Sequence, residues 1–421
     1  MKYTLSNRLR FQMTSLLSMK MFGLFRNPSK EKFAALVLRK IAEQGGPTDF
    51  VFLPDQFEIR CGSNRGFLGN VYTSYCQAKG AQRDSILNNF VSVMVDLPKH
   101  TESRFEEVRA DIAIVVRERA LLAFTSLLWQ LDGVEKPPKI QAEPISAWFA
   151  KALVIDAPSY MSLASEEQLS GWGCPPYELY ALGLQKLTDA KAPAFSADNG
   201  VFRGTWDDDY DSSRILIPGI FDDLPLRGKP IVTIPNRLTL LVAGSEDTNA
   251  VRRMLATAEE IVRTKAKPQN PAPLVIRNGD VFDYSVPATS PIFNEVERAK
   301  RLAALFYYTE QKERLDELYE KNGKDFFVAT YTLNRLDSGA HISCAVWTKG
   351  GAALLPVVDE IVFVDTDRPK GQNVVARVRW PVAAKFLADL MLDTEMFPQR
   401  FYVSSFPSPE QLLSLLSKSR E

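Results

Sequence analysis

Between Lys229 and Val262 the chain runs KPIVTIPNRLTLLVAGSEDTNAVRRMLATAEEIV, and this stretch limits the fold more than any other. It reads as strand, turn, strand, then Gly-Ser-Glu-Asp and a helix. With the strands and helices on either side, it points to an α+β fold. The expected architecture is mixed or antiparallel sheets with flanking helices, in two or three modules. The Gly-Ser-Glu-Asp entry also poses a functional question. A phosphate cradle needs free backbone N–H groups at a helix N-terminus and glycines for close approach. Here there is one glycine, Gly244, with no following Lys-Ser/Thr, and Glu246 and Asp247 would repel an anion. Ser245 or Asp247 as N-cap accounts for the same residues.

The 421 residues are too many for one ordinary core. Hydrophobic residues make up 45% and charged residues 24%, the balance of a soluble globular protein. Lys plus Arg equals Asp plus Glu at 51 each, so the basic excess of a phosphate-neutralising nucleic-acid binder is missing. Cys61, Cys76, Cys174 and Cys344 form no C-x-x-C pair, which favours a reducing compartment and a cytoplasmic location. His100 and His341 are the only histidines, a poor inventory for zinc. No apolar run approaches the roughly 20 residues of a membrane span.

Residues 1–20 read as an extension. Lys2, Arg8, Arg10 and Lys20 are basic, and no acid precedes Glu31. The short, polar MTSLLSM segment without an A-x-A-like site argues against a secretory signal. A transit peptide, a disordered arm, and a mis-assigned start before Met19 or Met21 all remain open.

Three modules are expected after it, at 21–132, 145–264 and 274–421, separated by the proline-rich segments Gly133–Pro144 and Lys265–Pro273. In the first, Ser29 caps a helix with Phe33, Leu36, Val37 and Ile41 on one face. ADIAIVVRERALLAF reads as one or two buried strands, with a helix as competitor. In the second, VFRGTW and SRILIPGIF read as strands around an acidic hairpin turn. In the third, a charge-laced helix covers Phe293 to Lys321, followed by an antiparallel meander and two closing helices. TIPNRLTLLVAGSED and LLPVVDEIVFVDTD echo one another, which leaves a repeated module open.

Candidate metal ligands are confined to two acidic turns. TWDDDYDSSR carries Asp207, Asp209 and Asp211, but lacks the glycine and downstream Glu of a calcium loop. VDTDRPKG carries Asp365 and Asp367 in the D-x-D spacing that some glycosyltransferases use. Asp is also a favoured turn residue, which explains both stretches without a metal. Cys174 precedes a helix whose dipole could stabilise its thiolate. His341 and Cys344 lie three residues apart and so on opposite faces of a strand. G-x-S-x-G, H-E-x-x-H, Walker and G-x-G-x-x-G motifs are all missing.

From Met21 to about Pro287 the chain resembles the YtpQ-like bacterial proteins, a family of unknown function. The blocks that carry the resemblance are MFGLFRNPSKEKFAALVLRKI, LVIDAPSYMSLASEEQLSGWGCPPYELYALGLQKL and SSRILIPGIFDDLPLRGKPIVTIPNRLTLLVAGSED, in that order. Gln185-Lys186-Leu187 departs from the family's Asn-Leu ending, and Leu238 stands where the family pattern has Asp. The resemblance implies a cytosolic α+β protein and transfers no activity. The expectation is a non-catalytic protein-interaction, chaperone-like or regulatory protein. It would use no cofactor, and its partner would be another protein or a second copy. The alternative is a metal-assisted enzyme or nucleotide binder built on the clustered carboxylates. Attachment to a surface through residues 1–20 is a third reading.

Overall fold

The computed structural model describes residues 27–61, 64–96, 104–131, 133–134, 136–157, 161–190, 192, 194–265, 268–324 and 326–418. The extension at 1–20 and His100 lie outside them. The fold is α+β, with antiparallel and mixed sheets and flanking helices. Among the described residues no helix is long and apolar enough to cross a membrane.

The first unit opens on helix Lys30–Glu43, where Ser29 Oγ accepts from the Lys32 N–H at 3.3 Å. Its buried face is Phe33, Ala34, Val37 and Ile41. A three-stranded sheet follows (Val51–Leu53, Glu58–Cys61, Asn64–Phe67), then helices Leu68–Gln77 and Ala81–Asp96. Ile59 is fully buried and packs with Leu87, Val91 and Met94.

ADIAIVVRERALLAF divides into strand Ile112–Glu118 and helix Arg119–Leu131. The strand pairs antiparallel with Phe149–Asp156, from Ile112↔Ile155 to Glu118↔Phe149. The segment at 133–144 therefore lies inside one sheet, to which its own Ala142–Pro144 adds a strand, and is not a boundary between modules. The segment at 265–273 is corrected in the same way. Strand Leu274–Arg277 pairs with Pro230–Asn236, and Gln269 and Asn270 between them are buried. Both segments follow a helix and lead into a strand, and proline and charge mark such connections within a sheet as readily as between domains.

The hairpin read from Lys229 to Val262 is present as Pro230–Asn236 and Thr239–Gly244, at the centre of a six-stranded antiparallel sheet. Helix Thr248–Thr264 packs Ala250, Val251, Met254 and Ala258 on that sheet through Ile231, Leu241 and Val275. Asp247 caps it, with Oδ1 accepting from the Ala250 N–H at 2.9 Å. Gly244 serves chain crossing, since a Cβ there would lie 2.3 Å from the Arg227 carbonyl oxygen. No phosphate is needed to explain any of these residues. SRILIPGIF is not a strand. Asp211–Leu216 forms a 3-10 turn whose Ile215 enters the core with Ile220 and Phe221.

Helix Phe293–Lys321 ties these parts together. Val296 and Ala299 meet the core under helix Thr248–Thr264, and Ala303 and Tyr307 meet Ala120 and Phe124. Ala304 and Tyr308 enter the C-terminal core, and Leu315 packs with Val328 and Leu354.

The C-terminal strands do not form a meander. They divide into two four-stranded sheets, with His341–Thr348 parallel to Glu360–Val364 and Phe327–Val328 parallel to Ala353–Pro356. The run AALLPVVDEIVFVD breaks after Pro356, and its halves join different sheets. The internal echo is accordingly not a repeat in space. Its first copy is a hairpin leading to a helix, whereas its second spans two sheets and leads to strand Val374–Arg379.

Candidate functional site

The acidic turn does not gather its carboxylates. Asp208 takes the Arg214 guanidinium in a bidentate pair, at 2.6 and 2.9 Å. Arg214 is buried and stacks on the Trp206 ring at 4.6 Å. Asp211 turns inward, fully buried, and accepts from the Asp208 N–H at 3.1 Å. Burial pushes its carboxyl up, as expected for a charge removed from water. Asp207 and Asp209 are exposed on either side of Asp208, and Asp207 adopts a positive φ of 52°. Asp365 and Asp367 sit in another part of the fold around the Lys349 ammonium, at 3.4 and 2.6 Å. Asp365 Oδ1 also accepts from the Asp367 N–H, the usual chemistry of an Asp turn. Among the described residues no group of three His, Cys, Asp or Glu side chains is placed to hold a metal ion.

Cys174 faces Glu178, with Sγ 3.8 Å from Oε2. Desolvation and that carboxylate push the thiol up, away from a reactive thiolate. His341 pairs with Arg335 and Cys344 with Thr332 along one strand, so the two side chains diverge.

A groove of about 830 Å³ opens between the first unit and the long helix. The strand registers explain one wall. Phe52, Ile59 and Gly66 stand in one row and face the core of the first unit. Leu53, Glu58 and Phe67 form the alternate row, with Arg60 opposite Arg65 beside it, and these line the groove. The facing wall is the outer side of helix Phe293–Lys321, through Leu302, Leu305, Phe306, Glu310, Glu313 and Glu317. Their spacing of three and four residues places them on one helical stripe. Leu128 and Leu131 of helix Arg119–Leu131 complete the lining.

Phe67 and Phe306 are half exposed, on opposite walls, at 50% and 53%. The Glu58 side chain is only 1% exposed and holds Arg60 at 2.7 Å and Arg65 at 4.0 Å. Arg314 pairs with Glu310 at 2.5 Å, and Lys321 donates to the Leu131 carbonyl at the end of its helix. Glu313 and Glu317 are exposed, and no ion pair engages them among the described residues. A smaller opening of about 530 Å³ lies by Tyr180 and Phe282. There Lys151 is already engaged by Glu143 at 2.8 Å and by the Tyr180 ring at 4.6 Å.

Behind the helical wall lies a closed polar joint. Glu118 is buried where strand Ile112–Glu118 ends, and the Tyr307 hydroxyl donates to its Oε1. Desolvation pushes the Glu118 carboxyl up to about 7, against the opposing pull of Tyr307, Arg237 and Arg117. The same burial holds Arg117 down to about 9 and lifts the Tyr307 phenol well above its ordinary range. Val116 links the joint to its neighbours. Its N–H donates to Ser213 Oγ at 3.0 Å, and its carbonyl accepts from Arg117 Nη1 at 2.9 Å.

Neither the groove nor the joint was among the sites expected from the sequence. The available signal was the run Leu302 to Tyr308, LAALFYY, which is apolar around the whole helix although one face suffices for packing. Compared with known proteins, the chain matches no protein-family model, no curated protein and no solved structure.

Proposed function

We propose that this chain is a non-catalytic interaction protein, of chaperone-like or regulatory type, that takes a segment of a partner protein into the groove. One observation carries the reading. The outer face of a sheet and the outer stripe of a long helix look at each other across a groove that none of the described residues fills, with Phe67 and Phe306 half exposed on facing walls. Sheets and helices normally bury such faces against each other. Fully burying a Phe side chain is worth about 1.5–3 kcal/mol, so covering the exposed halves of both rings supplies roughly 2 kcal/mol towards binding. The remaining apolar lining adds to that, in the manner of a helix laid in a groove. The four free thiols support a reducing compartment such as the cytoplasm for this activity.

Peptides selected by phage display on the folded protein provide the test. They are expected to bind the native chain and to lose at least tenfold in affinity for Phe306→Asp and Phe67→Asp. Selected peptides that bind all three proteins alike would place recognition elsewhere and overturn the reading.

A further inference from the structure

The charge left unanswered on the walls says which kind of segment the groove takes, an inference that rests on the reading above. All four bases lining it are already engaged. Arg60 and Arg65 share Glu58, Arg314 holds Glu310, and Lys321 meets the partial negative charge at the C-terminus of helix Arg119–Leu131. Two of the four acids are not engaged. Glu313 and Glu317 stand one turn apart on the exposed stripe, a like-charge spacing that is unfavourable unless a cation joins it. The stripe is graded along its length, apolar at Leu302, Leu305 and Phe306 and then acidic at Glu313 and Glu317, ahead of the engaged Lys321. From Leu302 to Lys321 it runs roughly 28 Å at 1.5 Å per residue, the length of a helix of about 19 residues.

We infer that the groove binds a basic amphipathic helix of a partner protein. The apolar face of that helix lies between Phe67 and Phe306, and two of its Lys or Arg residues, one turn apart, reach Glu313 and Glu317. Burial of the apolar face supplies affinity, and the charges fix the direction in which the helix lies.

The probes are two labelled 18-residue helical peptides of one apolar pattern, one with Lys and one with Glu on the polar face, followed by fluorescence anisotropy. The Lys peptide is expected to bind the native chain at least tenfold tighter than the Glu peptide, and to weaken as salt rises. The double reversal Glu313→Lys, Glu317→Lys should exchange the preference. Phe306→Asp should abolish binding, and Thr309→Trp, which fills the groove from an exposed position, should do the same. Equal or stronger binding of the Glu peptide, lost in Phe306→Asp, would overturn the basic partner and leave the groove reading standing. Binding of either peptide that ignores both Phe306→Asp and Thr309→Trp would overturn the groove reading itself.

Discussion

Glu118→Gln isolates the joint behind the groove. In the folded chain burial raises the Glu118 carboxyl from 4.5 to about 7. A raised acid binds its proton more tightly when folded than when unfolded. Its favourable contribution is therefore complete below pH 4.5 and is lost as pH climbs through about 7. With about 1.36 kcal/mol for each unit, the loss comes to about 3 kcal/mol by pH 8. Gln has the same shape and keeps an oxygen for the Tyr307 hydroxyl, but it does not titrate. The variant should match the native chain to within about 1 kcal/mol at pH 4.5 and exceed it by about 3 kcal/mol at pH 8. Urea denaturation of both proteins at half-unit steps between those limits, followed by tryptophan fluorescence, measures the gap. Titrations elsewhere cancel in the difference. A gap that stays constant with pH would show that Glu118 is charged and satisfied in the fold, and the joint would then be an ordinary ion pair.

Three further outcomes follow from the geometry. Asp208→Asn should cost about 3–5 kcal/mol in urea denaturation, because it strands the buried Arg214 guanidinium without its counter-charge; a loss under 1 kcal/mol would mean that water reaches Arg214. Gly244→Ala should cost about 1–3 kcal/mol, since its new carbon meets the backbone of Arg227 rather than a movable side chain; an unchanged melting temperature would refute that contact. Addition of Mg²⁺, Mn²⁺ or Ca²⁺ at millimolar concentration should leave the melting temperature unchanged, because Lys349 already sits between Asp365 and Asp367 while Asp211 turns away from Asp207 and Asp209. A rise with any one of these ions, lost in Asp367→Asn or Asp209→Asn, would restore the metal reading at that turn.

What could be read from the sequence was local. Ser29 and Asp247 announce their helices because a cap is a contact within three residues, and the long helix shows as 29 residues without Gly or Pro. Sheet membership was not legible. Ile112–Glu118 finds its partner beyond a proline-rich loop, and His341–Thr348 pairs parallel with a strand that reads as a continuation of Ala353–Pro356. Strand composition carries no address for the neighbour. SRILIPGIF has strand composition too, yet Arg214 within it is drawn back to Asp208, and the chain tightens into a turn. The groove was the least legible feature of all. Its wall residues Phe67 and Phe306 stand far apart in the chain and are brought together by the packing of a sheet and a helix.

Hydrogen–deuterium exchange on the whole chain, with and without the Lys peptide, shows whether both walls of the groove hold the same helix. Slowed exchange is expected in two segments together, the edge strand Asn64–Phe67 and the helix from Leu302 to Glu317, at peptide concentrations where anisotropy shows saturation. Protection confined to one wall, or centred on another exposed apolar position such as Leu392 or Leu413, would contradict it.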